Sequence, residues 1–515
     1  MSLNNKNEGR DQQALLTDRR EFLKLVIALS GGLVLGTSGL LSIPSCTQIP
    51  SKWRPVSYPK TLLYNFELFD GVQNRLQKGL ILLVENGRIQ GVERRGSLEC
   101  YKDFHPVDLK GRTVLPGLID NHCHMTVPFM YDPTFRAFIE MNQAIALNFY
   151  NCIMSGVTTV RDVGGFPGKI NKFRQKADSL EIPGPRVISS LSPIATRRGK
   201  ILGAPEKVRH FTNPLVEWIL GGNYAERPVG VKEIKAACQE MLQLGASWLK
   251  TLHQEHSYSY YPRTLPNHSD EGYNAILEIG AEHGVRCALH QPLLSGFVKG
   301  VKLGFHTLEH MPMDGIIPRR AIETFIKKGM AIIPTMMAFA DVFSETSILK
   351  LIQEHGREYL TPEAIRQMTA RLKASLAQNK LSIQERRKLI FDREYFRDMF
   401  SNQLTNLSRL HETGATIGLG TDNGGTFSGF FGRYAKELEH YVTAGIPKHE
   451  ILKMATSVNA SILGMQDEIG SISKGKIADI IAVRGNPLKN ISVMSKVDMV
   501  MKGGTFIKYE GLSLT

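Results

Sequence analysis

The sequence predicts an α/β chain, a (β/α)8 TIM barrel with a small β-sandwich formed from both termini. Three observations predict it. Between residues 112 and 460, short β-prone runs alternate with helix-forming stretches, the pattern of parallel βα units. Those runs number eight, at 113–122, 157–162, 186–190, 247–252, 286–290, 307–310, 330–335 and 416–420. Outside them, at opposite ends of the chain, lie strand-rich segments punctuated by hairpin signals.

The bulk properties agree with that class. The chain has 515 residues, 42% hydrophobic and 22% charged, which excludes a disordered chain and a minimal module. Six cysteines, at 46, 100, 123, 152, 238 and 287, contain no CxxC pair and exclude a disulfide scaffold. Lys and Arg total 63 against 49 Asp and Glu, a net charge of +14. No basic stripe interleaved with aromatics accompanies that charge, so nucleic acid is not an expected partner.

Residues 1–45 read as a leader. Asp18-Arg19-Arg20-Glu21-Phe22-Leu23-Lys24 precedes an uncharged, Gly-rich stretch over 25–43, and this resembles a twin-arginine export signal. Ile43-Pro44-Ser45-Cys46 resembles a lipoprotein cleavage box, in which Cys46 would be lipidated. The same apolar stretch is near spanning length, so membrane attachment through the leader stays open beside attachment through Cys46. The resemblance implies export by the twin-arginine translocation machinery to the periplasm or cell envelope. That route carries folded proteins and suits a protein whose metal is loaded first. Removing the leader takes away five basic and four acidic residues and leaves +13.

Residues 46–60 form a polar, Pro-containing tether, and 61–111 with 461–515 form the composite β-sandwich. Its hairpin turns are expected at Asn86-Gly87 and Gly503-Gly504. The barrel spans 112–460 and carries a helical insertion at about 340–400, nearly balanced in charge, with 11 basic and 9 acidic residues from 341 to 398.

Metal-capable residues fall where the predicted strands end. His122 and His124, two apart on one strand, point the same way and can reach one ion. Lys250, His290, His310 and Asp422 close or follow four further strands. Cys123 faces away from its neighbours and reads as a packed thiol, and His306 reads as structural.

These motifs, in order, resemble the amidohydrolase superfamily, and within it the imidazolonepropionase-like and Xaa-Pro dipeptidase-like metal-dependent hydrolases. The resemblance runs from Thr61 to Lys508 and is carried by Asp108 to Gly117 leading into His122-Cys123-His124, by Leu308-Glu309-His310, by Gly420-Thr421-Asp422 and by Gly470 to Asp479. It implies two divalent ions, expected to be Zn2+. His122, His124 and Asp422 would hold one, His290 and His310 the other, with carboxylated Lys250 as the bridge. It implies hydrolysis of a C–N amide bond by a metal-bridged hydroxide, with Asp422 as the catalytic proton carrier. A small dipeptide, N-acyl amino acid or related amide is the expected substrate. A mononuclear deaminase or cyclic amidase, with Lys250 in a salt bridge, is the second enzyme reading. A surface-tethered binding protein on a barrel scaffold is the non-enzymatic one. A homo-oligomer is compatible with all three.

Two departures touch the substrate loops. Where related chains often carry a second histidine after His290, this one has Pro292, and the loop from His253 to Pro262 lacks their glycine pair. In that loop His253, His256, Tyr258 and Tyr260 are candidate substrate contacts, or rim packing. Arg197 and Arg198, in a basic loop after the third strand, are candidates to pair with a substrate carboxylate.

Overall fold

A computed structural model describes residues 53–127, 135–196, 228, 230–342, 344–389, 392–424 and 429–510. The leader, Arg197 and Arg198 lie outside the described residues. The chain is an α/β protein with sixteen described strands in three sheets.

The first strands come from the N-terminal segment: β1 (Val56–Ser57), β2 (Lys60–Leu68), β3 (Leu80–Glu85), β4 (Arg88–Arg94) and β5 (His105–Pro116). Eight central strands follow: β6 (Leu118–Cys123), β7 (Val157–Asp162), β8 (Arg186–Ser189), β9 (Trp248–Leu252), β10 (Arg286–His290), β11 (Thr307–Glu309), β12 (Ala331–Ile333) and β13 (Thr416–Ile417). The chain ends with β14 (Ile480–Val483), β15 (Val497–Lys502) and β16 (Thr505–Tyr509).

Strands from both termini make one eight-stranded mixed sheet, in the order β1-β16-β15-β14-β5-β2-β3-β4. The two expected hairpins are present. Asn86 and Gly87 (φ 49° and 78°) turn β3 into β4, and Gly503 and Gly504 (φ 55° and 78°) turn β15 into β16, the left-handed pair that a two-residue hairpin needs. Alternate residues of these strands, among them Leu63, Leu82, Val107, Ala482, Met499 and Phe506, form one apolar core. The stretch read as the first barrel strand, 113–122, is divided. Residues 113–116 pair antiparallel with β14, and the chain then breaks at Gly117 before β6. A Cβ on Gly117 would stand 2.1 Å from Thr158 Oγ1, so the break needs glycine.

The central strands are parallel and lie in two sheets, β6-β7-β8 and β9-β10-β11-β12-β13 in spatial order. Isolated parallel bridges join them at Ile194 with Thr251 and at Cys123 with Asn423. Helices alternate with these strands and pack against them. Asp270–Glu282 shows why they form. Ser269 caps its first turn by accepting from Gly272 N, acids fill the first turn, and Tyr273, Ile276, Ile279 and Gly280 supply one buried face. The expected insertion is helical and runs on through Glu345–Tyr359, Pro362–Leu376, Ile383–Arg386 and Arg393–Glu412. Among the described residues no helix is long and apolar enough to cross a membrane.

Candidate metal centre

Two strand-end segments meet first. Asn121 N donates to Leu419 O at 3.0 Å, Asp422 N to His122 O at 2.7 Å, and His124 N to Asn423 O at 2.8 Å. Gly420 lets the segments approach, since a Cβ there would stand 2.7 Å from His122 N. As a result His122, His124 and Asp422 bring ligand atoms within 4.8 Å of one another, a set able to hold a metal ion. The Asp422 carboxylate lies 3.4 Å from His122 Nε2 and 3.2 Å from His124 Nε2. Burial would raise the Asp422 carboxyl, but the hydrogen bonds from His122 and His124 outweigh it and hold it well below the usual range.

The other expected ligands gather on the same cluster. The His310 ring lies 4.8 Å from His122 and 4.5 Å from His290, centroid to centroid. Burial, joined by neighbouring cationic partners, pushes both His290 and His310 well below the ordinary imidazole value, which favours the neutral form a metal requires. Lys250 is 4% exposed, and its Nζ has no hydrogen-bond partner among the described residues. Burial lowers its pKa to about 8, against the pull of Glu309.

Several imidazoles are oriented from behind. His124 Nδ1 contacts Gly164 O at 2.7 Å, His310 Nδ1 contacts Thr335 Oγ1 at 2.7 Å, and His122 Nδ1 contacts Glu309 Oε2 at 2.6 Å. Neighbours Glu309 and His310 both reach His122, which strict strand alternation forbids. The left-handed φ of 75° at His310 ends β11 and turns the ring back toward the cluster. Thr335 (φ 51°) and Asp422 (φ 56°) share that strained conformation, costing on the order of 1–3 kcal/mol each.

Sequence reasoning passed over Arg161. Its guanidinium is fully buried, donates to Glu309 at 2.7 Å, Asn121 O at 2.6 Å and Thr307 at 3.0 Å, and stacks 4.5 Å from the Trp248 ring. The available signal was an arginine inside Val157-Thr158-Thr159-Val160-Arg161-Asp162, where a charge needs a buried partner. Glu309 and Thr335 were likewise not singled out, because their roles depend on contacts between strands.

The loop candidates separate. His253 is buried, with Nδ1 3.0 Å from the Tyr273 hydroxyl and Nε2 3.5 Å from Glu255, and its backbone N donates to His290 O at 2.8 Å. His256 is exposed and bridges Thr264. The Tyr260 hydroxyl donates to Asp398 of the insertion. Tyr258 is buried against Phe339 and Phe396. Gln254, unremarked in the sequence, places Oε1 3.3 Å from His290 Nε2. Cys123 is the expected packed thiol, pushed far up by burial, and His306 accepts from Cys287 N.

Known proteins resemble this chain. Ochratoxinase of Aspergillus niger is 24% identical over 420 residues, covering 78% of this chain and 76% of that protein. A Xaa-Pro dipeptidase, solved with methionine bound in its active site, superposes with a TM-score of 0.67 at 26% identity, covering 88% of this chain and all of that one. A dihydroorotase from Syntrophus aciditrophicus is 40% identical over 145 residues, covering 28% of this chain and 32% of that protein. The model of the amidohydrolase family matches residues 113–507. That match starts in β5 and ends in β16, takes in every strand that delivers a donor to the cluster, and establishes that the chain belongs to the amidohydrolase family and is a hydrolase acting on carbon–nitrogen bonds.

Proposed function

We propose that the chain hydrolyses the amide bond of a dipeptide, N-acyl amino acid or related small amide at a site for two divalent cations. The observation that carries this is Lys250, a buried amine without a hydrogen-bond partner among the described residues, within electrostatic reach of His290, His310 and Asp422. Near its lowered pKa an amine is neutral often enough to add carbon dioxide with loss of a proton, and the carbamate, one negative charge shared over two oxygens, would serve as a metal ligand. His122, His124 and Asp422 would hold one ion, His290 and His310 the other, and carboxylated Lys250 would touch both. Nitrogen and oxygen donors of this kind suit Zn2+. Bound there, such ions would supply Lewis acidity to the scissile carbonyl and to the attacking water.

The chain's own residues do the rest. Asp422, held as a carboxylate by its two histidines, accepts the proton of the attacking water and returns it to the leaving nitrogen. Glu309, clamped by Arg161, orients His122. A cavity beside His290, lined by Leu252, Gln254, Leu265, Pro266 and Asn267, offers apolar and amide walls for an uncharged part of the substrate. Arg197 and Arg198 are proposed for a carboxylate at its other end.

A screen of the metal-loaded protein against dipeptides and N-acyl amino acids, scoring released amine, tests the activity. The wild type should carry two ions per chain and Lys250→Ala should lose both. A second reading, a mononuclear deaminase or cyclic amidase, draws on the likeness to the dihydroorotase. One ion retained in Lys250→Ala, with turnover only of cyclic amides or amino-heterocycles, would establish it instead.

We read the eight central strands as the (β/α)8 barrel of 112–460, with the sandwich built from 61–111 and 461–515. For the leader we propose twin-arginine export to the periplasm or cell envelope. Mass spectrometry of the mature N-terminus checks it: lipidated Cys46 is expected, and an unprocessed Met1 in the envelope fraction would leave the leader as an anchor.

A further inference from the structure

Three of the histidines in the cluster are held through the same ring atom. Nδ1 of His122 meets the Glu309 carboxylate, Nδ1 of His124 the carbonyl of Gly164, and Nδ1 of His310 the hydroxyl of Thr335. Asp422 lies on the Nε2 side of His122 and His124, so Nε2 is the nitrogen those two rings turn toward the other donors. His290 is held the other way round. Its Nε2 lies 3.3 Å from Gln254 Oε1.

The direction of that contact follows from what else the carboxamide does. Gln254 Nε2 donates to His256 O at 2.7 Å, and a backbone carbonyl can only accept. This fixes which end of the amide is nitrogen, so the end facing His290 is the oxygen, itself an acceptor. The hydrogen between the two residues therefore belongs to His290 Nε2. A histidine that takes a metal ion is neutral and carries one ring hydrogen, which puts its lone pair on Nδ1.

The Gln254 side chain is built into place. It is 8% exposed, and Asn267 grips its backbone twice: Gln254 N donates to Asn267 Oδ1 at 2.8 Å, and Asn267 Nδ2 donates to Gln254 O at 3.1 Å. Leu265 N donates to Glu255 O at 2.8 Å one residue on, and His253 N donates to His290 O at 2.8 Å one residue before. The loop is thereby registered against the strand that ends in His290. The glycine pair that related chains often carry in this loop offers no side-chain acceptor.

We propose that Gln254 is a positioning residue whose Oε1 accepts the Nε2–H of His290, fixes the tautomer of that ring and leaves the Nδ1 lone pair for a divalent cation. The role rests on the two-ion site proposed above. Without this acceptor the other tautomer is allowed, and it carries hydrogen on the nitrogen that the cation needs. Affinity for one ion then falls while the other is spared.

The first test needs no metal. In metal-free wild type with NMR-labelled histidine nitrogens, assigned with the aid of His290→Gln, His290 should be the Nε2–H tautomer; hydrogen on Nδ1 overturns the inference. Gln254→Leu should show a mixture of tautomers, and an unchanged Nε2–H signal there overturns it too. Competitive titration with Zn2+ then separates the two hydrogen bonds of the carboxamide. Gln254→Leu removes both, whereas Gln254→Glu removes the one to His256 O and keeps an acceptor for His290. Gln254→Leu should bind one ion ~10–100-fold more weakly and the other within about threefold of wild type. Gln254→Glu should bind both within about threefold of wild type or more tightly. Equal losses in the two variants assign Gln254 to anchoring the loop through His256 and overturn the inference. A wild type that takes up one ion, held equally well by Gln254→Leu, removes the two-ion reading and this role together. Two ions held by Gln254→Leu with wild-type affinity remove only the role.

Discussion

The carboxylate of Glu309 meets His122 Nδ1 at 2.6 Å, Arg161 Nη2 at 2.7 Å and the Thr307 hydroxyl at 2.5 Å, all out of contact with solvent. Burial would raise its pKa, but Arg161, Lys250 and His122 hold it far below the usual range, so it is a permanent anion under the cluster. Glu309→Gln keeps the shape and removes the charge, leaving Arg161 buried without a counter-ion. Breaking a buried pair in this way costs about 3–5 kcal/mol. Losing the carboxylate behind a metal histidine weakens metal binding ~10–100-fold. Denaturant titration of the metal-free protein and competitive metal titration should show both losses. Leu308-Glu309-His310 was legible in the sequence as a ligand motif, but only His310 was given a role. Glu309 received its role from β6 and β7, which approach it in space and not along the chain.

At the scale of elements, the ends of strands and the turns behind them set the site. Gly424 (φ 86°) lies where an added Cβ would stand 2.1 Å from His124 O. Gly424→Ala must therefore move the His124 segment. It should destabilise by about 1–3 kcal/mol for the backbone strain alone and reduce bound metal, as measured by thermal unfolding and elemental analysis. On the opposite side, Glu437 of helix Tyr434–Thr443 accepts from Met336 N at 2.8 Å and Met337 N at 2.6 Å, fixing the turn that carries Thr335 to His310. Burial raises its pKa from 4.5 to about 8. The folded state then holds a proton that the unfolded state releases, so this contribution is full below about pH 4.5 and is lost as pH rises through about 8. Wild-type Tm should carry a decline over that window, and Glu437→Gln, though less stable, should show a shallower one. The hairpin at Asn86-Gly87 was legible because two residues determine it. The division of 113–122 at Gly117 was not, because an apolar run reads alike whether it pairs with β14 or with β7.

Across the whole molecule, the two ends of the chain are locked by a buried ion pair. Arg112 of β5 meets Asp498 of β15 at 2.9 Å, and Arg484 meets the same carboxylate at 2.7 Å. Asp498→Ala strands Arg112, which also donates to Leu109 O and Glu510 O, and should cost about 3–5 kcal/mol. Because β5 leads straight into β6, the loss should lower the Tm of the whole protein in one transition in calorimetry. A separate low-temperature transition would instead mean that the terminal sheet unfolds independently. The net charge of +14 takes on a narrower meaning at this scale. Much of what is described is paired locally, as with Arg386, Arg433 and Arg161.

The sequence by itself determined the α/β class, the number and order of the central strands, and the identity of the six metal-capable side chains. Each of these is written in local pattern: runs of apolar residues, turn dipeptides, and histidines or carboxylates at the ends of β-prone runs. Only the tertiary structure decided which of them face one another and what stands behind each. It also decided that the terminal strands share one sheet, that Arg161 and Glu309 lie beneath the cluster, and that Tyr258 is buried while Tyr260 is not. Those outcomes depend on contacts between residues far apart in the chain, where burial and charge act through space.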